Sequence, residues 1–201
     1  MGVKKNKDIR LQVPGGETTV LLHTCCAPCS SAIIEAMMKD GITPVIYYCN
    51  PNIYPLEEYE IRKNECTRYA RSLGLEIVDA DYDHENWLDA VKGLEGEPER
   101  GGRCLRCFKI RLLRTARYAA QRGIRVITTT LASSRWKSLD QINEAGRWAC
   151  QQIVPPDGKV IWWDHNWRKN GLQERRLQII KEYDFYNQLY CGCEFSMRKE
   201  D

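Results

Sequence analysis

Seven of the ten cysteines fall into three tight groups: Cys25, Cys26 and Cys29 in HTCCAPC, Cys104 and Cys107 in GGRCLRCF, and Cys191 and Cys193 in YCGCEFS. Thiolates this dense, drawn from three distant parts of one chain, are the pattern of a soft-metal or redox site. Cys104 and Cys107 stand three apart at the start of a predicted helix, so both sulfurs can reach one centre, and the helix N-terminus favours the thiolate that ligation requires. Pro28 suits an early helical position, which leaves Cys25 and Cys26 in the turn before it. Neighbouring side chains on extended backbone point apart and would serve two centres, whereas a tight turn would aim both at one. Gly192 lets the backbone bend until two sulfurs converge, and a disulfide across one residue would be strained and easily reduced, as suits a redox pair.

Seven sulfurs exceed one tetrahedral zinc. Four suffice for a [4Fe–4S] cluster, and three remain for a second iron with an open position or for a redox pair. Cys49, Cys66 and Cys150 stand alone and read as buried small hydrophobes. Other candidates are weaker. His23 precedes the first cysteine group, either to donate to a cluster sulfide or substrate or simply to bond backbone at a strand end. Asp81, Asp83 and His84 follow the third predicted strand and are candidates to bind ribose or deliver protons, Asp83 above all. Glu95, Glu97 and Glu99 look like a mobile acidic lid. Tyr47, Tyr48, Tyr54, Trp136, Trp162 and Trp163 lie near strand ends or loops, mostly as core, with some placed to stack on bases.

The elements that must position these groups follow from the hydrophobic pattern. TTVLLH (18–23), TPVIYYC (43–49), LEIVDAD (75–81), RVITTTLA (125–132) and KVIWWD (159–164) read as strands. Helices are expected over SSAIIEAMMKD, from the prolines at 51 and 55 through about Ser72, over Cys104–Gln121, from Ser138 with a Ser138/Gln141 capping box, and over LQERRLQIIKEY. Residues 82–103 are the least regular stretch. Alternation of strand and helix argues for an α/β fold, a parallel sheet with helices on both faces and a C-terminal cysteine-bearing tail. In such sheets the working crevice lies beyond the carboxyl ends of the strands, and the first cysteine group sits at one of them, where a nucleotide-binding protein would carry a glycine-rich loop.

With 201 residues, 43% hydrophobic, the chain can bury a core as one domain over 1–201, residues 1–17 forming a flexible N-terminal extension. No stretch approaches a membrane span and the start has no apolar signal region, so a cytoplasmic location and no membrane partner are expected. There, paired cysteines are metal-binding or catalytic rather than structural staples. The net charge of +3 conceals an asymmetry: Arg100 to Leu139 holds eleven Lys or Arg and no acid, with Arg103, Arg106, Arg111, Arg114 and Arg117 on one side of a helix. That is a surface for a polyanion.

HTCCAPC, YCNPNIYPLEEYEIRK, DYDHENWLDAVKGLEGEPERGGRCLRCF, TTTLASS and YCGCEFS, in this order, resemble the epoxyqueuosine reductase QueH family over about Thr19 to Ser196. The resemblance implies a HUP-type fold, like the adenine-nucleotide α-hydrolases. It implies reduction of epoxyqueuosine to queuosine in the tRNA anticodon loop, the last step of queuosine synthesis. It also implies an iron–sulfur cluster and a neighbouring iron, without cobalamin. Carried over, Cys25, Cys26, Cys104 and Cys107 are the first choice for the cluster, and Cys191 and Cys193 are ligands of a second iron or a redox-active catalytic pair. Some relatives carry Asp at the place of Cys29, which suits an iron ligand there. The electrons must come from an external donor, since no GxGxxG cofactor motif is present. Two other readings stand beside it: an iron–sulfur-dependent tRNA sulfur transferase, for which HTCCAPC supplies no ATP loop, and a non-enzymatic, zinc-stabilised RNA-binding module.

Overall fold

The computed structural model describes residues 10–154 and 158–197. Its centre is Thr19–Thr24 (β1), an apolar run buried at every position but the first. Such continuous burial belongs to a parallel strand covered on both faces. Thr43–Tyr48 (β2) and Val126–Thr129 (β4) pair with β1 on either side, with Leu22 opposite Ile46 and Thr128. Ile77–Asp79 (β3) and Ile161–Trp162 (β5) complete a parallel sheet in the order β3-β2-β1-β4-β5. Ala27–Lys39 (α1), Leu56–Ser72 (α2) and Leu172–Glu182 (α6) pack together over one face. Gly102–Gln121 (α4) and Leu139–Gln151 (α5) pack together over the other, and His84–Val91 (α3) leans on α4. The order reverses direction at β1, so the loop after β1 opens at the switch point of the sheet.

Several elements differ from expectation. The third strand keeps only three residues and the fifth only two, and the fourth ends at Thr129 in a 3-10 turn over Thr130–Ser133. The stretch 82–103 contains α3, whose Trp87 and Val91 turn inward. Two apolar residues one helical turn apart among acids are too short a pattern to announce a helix. Of Glu95, Glu97 and Glu99, the first two are tied into the loop before α4. Buried Arg103 donates to the carbonyls of Leu94, Glu95 and Glu97, and the Glu97 carboxylate accepts the Gly102 N–H at 2.9 Å. Residues 10–17 are also attached rather than free, with the Leu11 N–H on Asp40 at 2.6 Å and Glu17 paired with Arg125. Residues 1–9 lie outside the described part.

At the α5 start only half of the capping box forms. Ser138 Oγ accepts the Gln141 N–H at 3.3 Å, but the Gln141 amide donates away, to the Arg100 carbonyl at 2.8 Å and that of Gly101. This ties the start of α5 to the start of α4, the helix that carries Cys104 and Cys107. At Gly146 a Cβ would stand 2.2 Å from the Trp162 ring, so only glycine lets β5 lie this close to α5.

Candidate metal centre

The first group forms where β1 ends. Cys25 occupies the turn, Cys26 is the extended N-cap of α1, and Cys29 follows Pro28 in the first helical turn. The turn brings all three Sγ atoms within 4.8 Å of one another, with Cys25 and Cys26 at 3.9 Å. Adjacent cysteines are thus aimed at one place. Bonds from Cys26 and Cys29 hold the Cys25 thiol well below its ordinary range, burial holds Cys26 well above, and the bond to Cys25 pushes Cys29 up to about 11.

The second group is made by α4 and the tail. Cys104 and Cys107 lie on successive turns of α4, and the Arg100 N–H donates to Cys104 Sγ at 3.3 Å. Cys107 and Cys193 are buried against Trp87 and Val91, and burial pushes Cys107 up to about 11. Cys104, Cys107, Cys191 and Cys193 line one small pocket at α4. Arg62, anchored on Glu58 at 2.7 Å, brings the tail here by donating to the carbonyls of Tyr190 and Cys191 at 3.3 Å each. Gly192 makes the turn at φ +131°, where a Cβ would meet Ile53 at 3.1 Å. The two groups adjoin: Cys25, Cys29, Cys104 and Cys191 face a common open cavity of about 1010 Å³.

Two cations sit among these sulfurs. Arg111 is 2% exposed and donates to the Cys49 carbonyl at 3.2 Å, to the Asn50 side chain, and to Cys107 Sγ at 4.0 Å. Among the described residues it has no carboxylate partner. Burial alone would lower its pKa, yet Cys107, Cys25 and Cys191 hold it above the ordinary value. Lys137, half-buried, lines the same cavity as Cys191, Cys25 and Cys29, whose charges hold its pKa up against desolvation. A buried cation needs a compensating anion, and these sulfurs, once ionised to hold a metal, are the anions within reach. Gln188 adds a donor, its Nε2 lying 3.0 Å from Cys26 Sγ.

The family model described as epoxyqueuosine reductase QueH matches residues 20–199. The epoxyqueuosine reductase QueH of Haemophilus influenzae is 48% identical over 94% of this chain and 76% of its own length. That of Acinetobacter baylyi is 45% identical over 94% and 85%, and that of Thermotoga maritima 35% identical over 89% and 90%. The chain belongs to the epoxyqueuosine reductase QueH family.

For a QueH-family chain the remaining candidates sort by position. His23 is wholly buried, with ring nitrogens 2.7 Å from Thr129 Oγ1 and 3.0 Å from the Cys49 carbonyl. Burial first, and the Arg111 charge second, push it down to about 3, so it is a neutral strut between β1, β2 and β4 rather than a proton donor. An unfolded imidazole binds its proton near 6.5. The stability due to neutral His23 is therefore complete above that pH and lost as pH falls toward 3, by up to about 1.4 kcal/mol per pH unit. Urea unfolding between pH 7 and 5 should show this loss in the parent but not in His23→Asn; parallel losses would refute it.

Asp83 precedes α3, accepts from Asn86 at 2.6 Å and approaches Arg114 at 3.9 Å, and it is not part of the cavity wall. His84 is taken up by the Pro51 carbonyl at 2.7 Å and by rings of Tyr54, Tyr82 and Trp87. Cys49 and Cys66 are buried; Cys150 is only half-buried. Tyr47, Tyr48 and Trp163 belong to the core, whereas Trp136 is 65% exposed.

The basic face expected of α4 is also redrawn. Arg103 and Arg111 turn inward, Arg106 and Arg114 bond the carbonyls of Ala90 and Ala80, and Lys109 pairs with Glu144. Positive charge gathers around the cavity, whose wall carries seven Arg or Lys, Arg62 paired with Glu58 and Arg111 buried among them, and one acid, Glu99. Arg62, Lys137, Arg168, Arg176 and Gln188 reach it from elements far apart in sequence. Arg62 and Lys137 fall in stretches the sequence analysis quoted, the first in YCNPNIYPLEEYEIRK and the second in the basic run, but Arg168 and Gln188 lie in no motif. Among the described residues no helix is long and apolar enough to cross a membrane.

Proposed function

We propose that this chain reduces the epoxide of epoxyqueuosine, within the anticodon loop of tRNA, to the cyclopentene of queuosine. The observation that carries the reading is a pair of cations, buried Arg111 and half-buried Lys137, set among sulfurs from all three cysteine groups without a described carboxylate partner. That donor set suits a thiolate-held iron centre: soft ligands, too many for one tetrahedral zinc, with part of their negative charge offset by the two cations. Cys25, Cys26, Cys104 and Cys107 are the first choice to hold a [4Fe–4S] cluster, and Cys29, Cys191 and Cys193 remain for a second iron or a redox pair. When bound, such a cluster supplies electrons singly, and an iron with an open position supplies a Lewis acid.

The overall change takes two electrons and two protons, breaks both C–O bonds of the epoxide, forms the C=C bond and releases water. The electrons enter from an external donor. The chain's own residues hold and shield the reacting group. Lys137, kept protonated among the thiolates, presents N–H donors to the wall of the cavity, and Arg111 offsets thiolate charge from behind. An anticodon loop is single-stranded, so its modified base can leave the stack and enter a concave site.

The test is anaerobic. Protein purified without oxygen should be brown, contain several irons per chain, and convert epoxyqueuosine-containing tRNA with a low-potential reductant. A colourless protein holding about one zinc, and no turnover, would sink the reading in favour of a zinc-stabilised RNA-binding module.

A further inference from the structure

Trp136 presents its indole to solvent at the cavity wall, 65% exposed, on a segment that is not loose. Arg100 donates to the carbonyls of Arg135 at 3.1 Å and Trp136 at 2.9 Å, and Arg168 donates to that of Lys137 at 2.8 Å. Three consecutive carbonyls are thus held by two arginines. The Arg135 guanidinium lies over the indole, 4.9 Å from its centre. Holding a large aromatic ring rigidly in water gains the folded chain nothing by burial, while the surrounding wall is cationic with Glu99 as its one acid.

We propose that Arg135 and Trp136 form a seat for the anticodon-loop nucleotide beside the one whose base enters the cavity. Trp136 stacks on that neighbouring base and Arg135 takes an adjacent phosphate. The chemistry required is a flat π-face joined to a polyanion, which single-stranded RNA presents at every residue. Lys137 is next in sequence to Trp136, and both line the same cavity as Cys25, Cys29 and Cys191, so the seat and the sulfurs share one wall. A base stacked on the indole fixes the register of the nucleotide next to it. The inference rests on the tRNA reading above and names the surface that reading lacks.

The experiment measures binding of a labelled anticodon stem–loop RNA to the anaerobically prepared protein by fluorescence anisotropy, at several salt concentrations. Trp136→Ala should weaken binding about 10- to 100-fold, and Trp136→Phe should restore most of it. An abasic nucleotide at one position flanking the modified residue should cost the parent a similar factor and leave Trp136→Ala unaffected. Arg135→Ala should flatten the salt slope by about 0.7. Arg117→Ala, exposed on α4 outside the cavity wall, is the control and should bind like the parent. Equal affinity of parent and Trp136→Ala, or a parent indifferent to abasic RNA, overturns the seat. Turnover separates the two ideas. A parent that reduces tRNA while Trp136→Ala binds normally removes only the seat. Loss of affinity in Trp136→Ala, with a parent that reduces nothing, removes only the reductase reading.

Discussion

Cys104→Ala is expected to fold, to lose iron, and to reduce no detectable epoxyqueuosine. Cys104 is one of two sulfurs, with Cys191, that line both the open cavity and the small pocket of the second group. It stands in the first turn of α4, faces the same cavity as Cys25, Cys29 and Cys191, and accepts a backbone N–H from Arg100. Loss even of an outer-shell partner weakens metal binding about 10- to 100-fold, so loss of a sulfur that holds the metal costs more. The fold has little stake in this side chain, which is only partly buried and packs at the edge of the core. Cys150→Ala is the matched control, a half-buried thiol on α5 outside the cavity wall, and should keep both iron and turnover. Iron content and anaerobic turnover check the pair. Full activity in Cys104→Ala would remove this sulfur from the proposed centre.

The second large effect changes with metal loading. In the iron-loaded protein Arg111→Met deletes the buried cation that offsets the thiolates, and breaking such a buried pair costs about 3–5 kcal/mol. In metal-stripped protein near neutral pH, burial and the bond to Cys25 keep Cys107 and Cys29 protonated, both near about 11. Arg111 then has less anion to answer, and replacing a poorly paired buried charge by an apolar side chain is often neutral or stabilising. The loss on stripping should therefore shrink by at least about 2 kcal/mol, read by anaerobic chemical denaturation of both forms. Equal losses would mean that Arg111 serves only the Cys49 carbonyl and the Asn50 side chain.

These effects mark which parts of the molecule were legible in one dimension. The buried strands β1, β2 and β4 declare themselves by continuous apolar runs, and α4 by helical spacing, because burial on both faces or on one stripe leaves a period that survives in sequence. Gly192 and the three cysteine groups were legible for the same reason: their chemistry lies in residue type and short spacing. The short strands β3 and β5 and helix α3 were read too long or missed, because two or three inward residues leave no measurable period.

Alone, then, the sequence determined that this is a parallel α/β fold with sulfur chemistry at the carboxyl edge of the sheet, and its ordered motifs already carried the family resemblance. What depended on tertiary structure was which charges meet which sulfurs. Arg103 and Arg111 belong by pattern to a basic helix face, yet one holds the loop before α4 and the other enters the sulfur site. Arg62 and Glu58 look like a surface pair one helical turn apart but anchor the cysteine tail. Asp83, promising after a strand, does not line the cavity. Side-chain direction and long-range charge pairing are set by packing between elements dozens of residues apart, and neither leaves a local period for sequence to display.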